Sequence, residues 1–394
     1  MTDHAPGRLR HRGRGYVSTP VRVMAGIAGP LVAGLALAGC GPSPVDMVEH
    51  PVTTTPSRMA GEELQRAAEP EESCAPAPVS AEFPGSGVRE VASADPVDST
   101  VEVPRSPERI LALGSGAVDV ACALGLQDLV VGISGLPQDA DVYLPAPLVG
   151  LPDLGITGDT GGDDDDDDED DAGADADAAA NAARDLNPDL IVLAGSPEPD
   201  PGLVRALSDV APTVVYDARS LNWAESTEAI ADAYGRPTAG GDLLLDVIDR
   251  ARFTADATTP RDTWVSLVSV SDAGEIEVQQ PDTLGSLMLE AVGANRPPAQ
   301  RTRDGQRIGP APESPPVGDE LDGDVIFAVV GGSDRSEQSA RETFATDRWT
   351  ELDAVGARRM FVVDRAVWEG SGPVAARAVL DDIRSSINGI APDG

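Results

Sequence analysis

The chain of 394 residues carries 29 basic against 67 acidic residues, a net charge of −38, and each basic residue is an arginine. A phosphate backbone needs a basic stripe, so nucleic acid is excluded as a partner, and the lack of lysine removes P-loop and Schiff-base chemistry. His4, His11 and His50 all precede the folded region and no G-x-S-x-G elbow occurs, so His-dependent triads and zinc sites cannot form there and no enzyme is expected.

The first residues hold Arg8, Arg10, Arg12, Arg14 and Arg22, followed by an apolar run from Val23 to Ala38. Pro30 and the glycines make this run a poor span. It also falls short of the roughly 20 residues a bilayer requires, so it reads as a secretory signal. Its end, Leu37-Ala38-Gly39-Cys40, resembles a bacterial lipobox. That resemblance implies a signal peptide over residues 1–39 and diacylation of Cys40. The mature protein is then expected at the outer face of the cytoplasmic membrane or in the periplasm, held by acyl methylenes worth about 0.8 kcal/mol each. Residues 40–87 are rich in Pro, Thr, Ser, Glu and Ala without periodicity and read as a flexible tether. Cys74 and Cys122 meet an oxidising compartment after export, which favours a bridge between them over one buried and one free thiol. Closing that loop is worth about 4 kcal/mol in the chain-entropy account. With no His or Lys near it, Cys122 is not a catalytic thiol.

From Val88 the pattern changes. Arg109–Leu113 is predicted as a short strand, followed by Gly114-Ser115-Gly116 and a helix from Ala117 that Gly125 stops. Val130–Ile133 and Asp189–Leu193 are the next strands, then a helix over Leu203–Val210 and a strand at Thr213–Tyr216. Between the second and third strands runs an unbroken acidic stretch, Asp163 to Asp171. Such runs repel themselves and stay solvated, so residues of about 160–178 are expected to be a disordered insert, without the ligand spacing of a calcium loop. Helices are predicted over Trp223–Tyr234 and Thr238–Phe253, the second with Leu244, Val247, Ile248 and Ala251 on one face. A second α/β unit follows, with strands at Thr263–Val270, Glu275–Val278, Val325–Val330 and Met360–Val363 and a loop over 297–323. The last helix starts at Pro373, suited to the first helical position, and buries Ala375, Val379, Ile383 and Ile387. Apolar strands alternating with helices indicate parallel sheets covered on both faces. The expected fold is therefore α/β, with two Rossmann-like lobes at 88–221 and 258–394. A single long helical linker over 222–257 joins them, and a ligand cleft lies between.

Three stretches carry a resemblance: VEVPRSPERILALGSGAVDVACALGLQDLVVGI (101–133), LNPDLIVLAG (186–195) and WTELDAVGARRMFVVDRAVWEGSGPVAARAVLDDI (349–383), with LGSLMLEAVGANRPPAQR (284–301) beside the last. In order and spacing they resemble the class III periplasmic binding proteins, which carry siderophores, haem, cobalamin and some metals to ABC importers. Within that class EESCAPAP (71–78) and GANRPPAQR most resemble the mycobacterial-type FecB lipoproteins, which bind Fe(III)-dicitrate. The resemblance implies limited hinge motion, ligand held between the lobes, and an acidic residue on each lobe docking to arginines of the permease. Asp119 stands where the amino-terminal docking residue sits in the class, shortened from Glu, and Glu290 is the candidate on the other lobe.

A ferric siderophore or ferric citrate is bulky, oxygen-rich and usually anionic, so forked arginine donors and flat aromatic walls are expected around it. Arg296, Arg301, Arg303 and Arg307 crowd one loop of the carboxy lobe, and Trp368 follows its last strand where the class borders the cleft. Tyr143, in the loop after the second strand, is a candidate for stacking or for packing. Ser115, in Gly114-Ser115-Gly116, sits where a helix start admits ligand oxygens, and Gln280 is a candidate polar contact. Without histidine, no spacing suggests direct metal ligation, so the cargo is expected to arrive as a pre-chelated Fe(III) complex, with no resident cofactor. The expected function is an exported, lipid-anchored, monomeric substrate-binding protein that passes such a chelate to an ABC permease. The alternatives are a haem-binding protein of the same fold, which needs a Tyr, His or Met ligand, and an envelope interaction protein that keeps only the scaffold.

Overall fold

Runs of β-branched and aliphatic residues form the strands, and along the central ones every side chain is buried, as in sheets covered on both faces. The computed structural model describes residues 72–94, 99–156, 169–195, 199–258, 263–301, 307–308 and 321–387. The expected signal peptide, Cys40 and Arg303 lie outside them.

In the amino lobe Val88–Ser93 (β1) and Ser99–Pro104 (β2) pair as an antiparallel ribbon. Ile110–Leu113 (β3), Ser115–Ala123 (α1), Val130–Ser134 (β4), Ala146–Val149 (α2), Glu169–Leu186 (α3), Leu190–Gly195 (β5), Pro201–Ser208 (α4) and Thr213–Asp217 (β6) follow. The four later strands make a wholly parallel sheet in the order β4-β3-β5-β6. Ser93 ties the ribbon to its edge, its Oγ accepting from the Val215 amide at 3.0 Å.

The chain then crosses through Trp223–Ala233 (α5) and Pro237–Thr258 (α6). At 22 residues α6 is about 33 Å long. Gly240 lets it press against α5, since a Cβ there would fall 2.8 Å from the Ala231 Cβ. In the carboxy lobe come Val265–Val270 (β7), Ile276–Val278 (β8), Leu284–Ala291 (α7), Arg307–Ile308 (β9), Val325–Val330 (β10), Asp334–Phe344 (α8), Asp347–Thr350 (α9), Asp353–Gly356 (α10), Met360–Asp364 (β11), Arg365–Trp368 (α11) and Pro373–Ile387 (α12). Their sheet runs β11-β10-β7-β8-β9, parallel over the first three strands and antiparallel beyond.

Three expectations need correction. Residues 169–178, read as part of a disordered insert, belong to α3. Ala176, Ala179, Ala180 and Ala183 recur at helical spacing and are all buried, and alanine is the best helix former. Residues 157–168 lie outside the described part. Residues 72–87, read as tether, instead include a strap laid on the amino lobe. The Cys74–Cys122 disulfide fixes it, the Ala75 and Val79 amides donate to Cys122 and Leu124 at 3.0 and 2.9 Å, and Glu82 caps the start of α6 through Thr238. The loop predicted over 297–323 contains β9, whose Ile308 pairs with Ile276.

The two lobes share one apolar core. Val118 and Val120 of α1, Ile230 of α5, Val247 of α6, Leu284 and Met288 of α7, and Val379 and Ile383 of α12 belong to a single buried cluster. Hinging far apart would wet this cluster at roughly 25 cal/mol per Å² of apolar surface, so large lobe motions are disfavoured.

Candidate functional site

Strand ends build the site. Each parallel strand of the amino lobe delivers a short turn to one edge of its sheet: Gly114-Ser115 after β3, Ser134-Gly135 after β4, Gly195 after β5 and Ala218-Arg219 after β6. The carboxy lobe answers with Asp282 and Thr283 at the start of α7 and with the segment from Arg365 to Ser371 after β11. Between them lies a cleft of about 990 Å³, in the place where open α/β sheets bind ligands, outside the carboxyl ends of their strands. Gly114 is obligatory here. Its φ is 92°, and a Cβ would fall 1.8 Å from the Ala194 carbonyl oxygen, so only glycine lets β3 turn into α1 beside β5.

Four polar latches bridge the lobes around this cleft. Ser115 and Ser371 share a hydrogen bond of 3.1 Å between their hydroxyls. The Ser220 hydroxyl donates to the Gly370 carbonyl at 2.9 Å. The Gly332 amide donates to Asp139 at 2.9 Å. Deepest is Asp119, on α1, whose two carboxylate oxygens accept from the Val374 and Ala375 amides at 2.8 and 3.0 Å and so cap α12. Burial pushes the Asp119 carboxyl up to about 6, against the pull of those amides and of Arg377.

Among the described residues five charged side chains line the cleft: Asp153, Asp282 and Glu369, with Arg219 and Arg365. Arg219 forks onto Asp217 through Nε at 2.9 Å and Nη2 at 2.7 Å, and holds that carboxyl below its usual range. Arg365 donates to the Val270 carbonyl at 2.8 Å and lies 3.8 Å from Glu369, whose other oxygen accepts from Gln279 at 2.7 Å. Loss of water raises the Glu369 pKa, and Glu277 and Asp139 push it the same way.

The residues singled out from sequence divide sharply. Ser115 is on the cleft wall and Gln280 is half-buried two residues ahead of Asp282. Trp368 is not a ligand wall. It is 1% exposed, 4.7 Å from the Phe327 ring, with Nε1 donating to Asp382 at 2.9 Å. Gly285 exists for its sake, because a Cβ there would fall 2.5 Å from the indole. The single turn of α11 sends Arg365 and Glu369 to the cleft and Trp368 inward. Tyr143 is buried off the cleft, and its hydroxyl finds no hydrogen-bond partner among the described residues. Burial, then Asp119 and Asp139, drive its phenol well above the usual range, against a phenolate ligand. Arg296 is spent on structure, donating to Ser286 at 2.9 Å and to Gln300 and Gln279, with its pKa lowered to about 10 by burial. Arg301 lies exposed over the Trp264 ring, 5.1 Å from its centroid, and donates to the Arg296 carbonyl; it does not line the cleft. Asp119 cannot dock a permease from its buried position, whereas Glu290 is exposed near the end of α7.

Arg219, Asp282, Arg365, Glu369 and Ser371 were missed. Each sits in a turn just after a parallel strand or at a helix start facing the cleft. Applying the strand-end rule to β6 and β11 would have found the arginines; clustering of arginines along the sequence instead drew attention to one loop.

No protein-family profile matches the chain. A probable siderophore-binding lipoprotein, YfiY of Bacillus subtilis, is 24% identical over 297 residues, spanning 72% of this chain and 83% of that protein. The achromobactin-binding periplasmic protein of Dickeya dadantii is 25% identical over 292 residues, spanning 72% of this chain and 88% of its own. The crystal structure of Staphylococcus aureus SirA complexed with staphyloferrin B superposes with a TM-score of 0.57 at 19% identity, covering 77% of this chain and 99% of that one. The chain has the fold of the siderophore-binding periplasmic proteins. That agreement extends to the two parallel-sheet lobes, and the matched proteins are named for binding, not catalysis.

Proposed function

We propose that this chain is an exported substrate-binding lipoprotein that captures a ferric siderophore between its lobes and presents it to an ABC permease for iron uptake. The observation that carries the reading is the cleft of about 990 Å³ at the carboxyl ends of two sets of parallel strands, large enough for a drug-sized chelate. Both curated relatives bind siderophores by name, and the lipobox-like sequence ending in Cys40 supplies the anchor. In this reading the iron arrives already chelated, because the folded region has no histidine to offer it as a ligand. The resemblance to FecB by itself points to Fe(III)-dicitrate, but Asp153, Asp282 and Glu369 against only Arg219 and Arg365 in the described cleft wall argue against so anionic a cargo. Haem is less well served, since no Tyr, His or Met is among the described cleft residues. Glu290 remains the docking candidate on the carboxy lobe, and the protein acts as a monomer.

Isothermal calorimetry of the mature chain against ferric siderophores and their iron-free forms tests this. Saturable binding of ferric forms at a stoichiometry of one supports the reading; no heat from any of them refutes it.

A further inference from the structure

Resting on that reading, we infer that the cleft selects ferric chelates of zero or positive net charge and disfavours polyanionic ones such as ferric citrate or a tris-catecholate. The charge inventory argues for it. Both arginines in the described cleft wall already have a carboxylate of their own lobe: Arg219 is forked onto Asp217, and Arg365 stands by Glu369 while its Nη2 is committed to the Val270 carbonyl. Each arginine keeps further N–H donors, but its charge is already largely offset by that neighbouring carboxylate, so an anionic chelate gains little net attraction at either. Asp153 and Asp282 add two further carboxylates to the wall.

Asp282, on the opposite lobe's side of the cleft lining, also attracts Arg219, after the larger pull of Asp217, and so offsets more of its charge. Burial is the main reason the Glu369 pKa is raised, with Glu277 and Asp139 adding like charge nearby; a ligand anion beside it would add to that repulsion. The surroundings act in the same direction, because a chain of net charge −38 sets a negative potential over its surface. Of the arginines expected to receive an anion from the neighbouring loop, the two whose side chains are described are elsewhere: Arg296 is bonded to Ser286 and Gln300, and Arg301 is stacked on Trp264 outside the cleft. Three hydroxamates neutralise Fe(III) completely, so a trihydroxamate complex presents no net charge, and a pendant ammonium makes it cationic. Such a ligand can use the hydroxyl proton of the Ser115–Ser371 pair that is not spent between them, and amides at the start of α1, as donors, and meet Asp282 with its positive end.

The test is a matched series in which only charge varies. Ferrioxamine B carries a pendant ammonium, its N-acetyl derivative is neutral and its N-succinyl derivative is anionic, with the same iron shell in all three. Ferric citrate and a ferric tris-catecholate complete the panel, titrated calorimetrically into the mature protein at low and physiological salt. Affinity should fall by about fivefold per unit of charge from cationic to anionic, with citrate and catecholate weaker still and the spacing compressed by salt. Asp282→Asn should narrow the ratio between the cationic and anionic members by about fivefold. A flat or reversed order, tight binding of citrate or catecholate alone, or an unchanged ratio in the Asp282→Asn protein each overturns the charge inference and leaves siderophore capture standing. If none of the five chelates binds, the capture reading itself falls and takes this inference with it.

Discussion

Asp119 offers the sharpest quantitative test of how the lobes are joined. Its carboxylate is buried on α1 and caps α12 through the Val374 and Ala375 amides, with Arg377 and the Tyr143 phenol as its charged and titratable neighbours. Burial raises its pKa from 3.8 to about 6. Because the folded protein then holds this proton more tightly than the unfolded chain, the contribution is fully present below pH 3.8 and is lost as pH rises through about 6. At 1.36 kcal/mol per unit the loss across that window is about 3 kcal/mol. Asp119→Asn places a permanently neutral amide in the same volume, so that pH dependence should vanish, while one of the two caps is lost at every pH at about 1 kcal/mol. Urea unfolding of both proteins between about pH 3 and 7 measures it, and the difference between them cancels every other titrating group. Wild type should lose about 3 kcal/mol more than the variant as pH rises. Parallel curves would show that the carboxylate is solvated or fully compensated, and the account of the latch would fail.

Three further outcomes follow from the packing. Trp368→Ala should cost about 3–5 kcal/mol of stability and leave cargo affinity little changed, because the indole lies behind the cleft against Phe327 and Gly285; a large affinity loss with unchanged stability would return it to the binding wall. The Asp382 carboxyl, pushed up to about 7 by burial and joined to the indole of Trp368, should make tryptophan emission titrate near neutrality. Asp382→Asn should abolish that transition, and a persistent one would assign it elsewhere. Replacing Cys74 by Ser opens a loop of sequence separation 48 and should cost about 4 kcal/mol in chemical denaturation, whereas coincident midpoints would show that the strap adds nothing to the fold.

The lobes were legible because their strands announce themselves locally. Ile110–Leu113, Leu190–Gly195 and Val325–Val330 are short apolar runs whose burial on both faces leaves no other reading, and Pro373 marks the start of α12 wherever the helix packs. The strap and α3 were less legible, because low hydropathy and acidic runs resemble disorder until an alanine stripe or a disulfide finds a partner surface.

What the amino-acid sequence determined alone is the class of molecule: two α/β units joined by a helical crossing, in a folded region without histidine or lysine. Which residues face the cleft was decided only when the lobes came together. Trp368 and Asp119 look like a ligand wall and a docking charge along the chain, yet one fills the carboxy lobe and the other fastens the lobes together. Arg219, Asp282 and Arg365 are separated by long stretches of chain and meet only because parallel strands from two sheets end at the same edge. A side chain's polarity is a local property, but the direction it faces depends on which neighbour excludes water from its other side, and that neighbour is distant in the sequence.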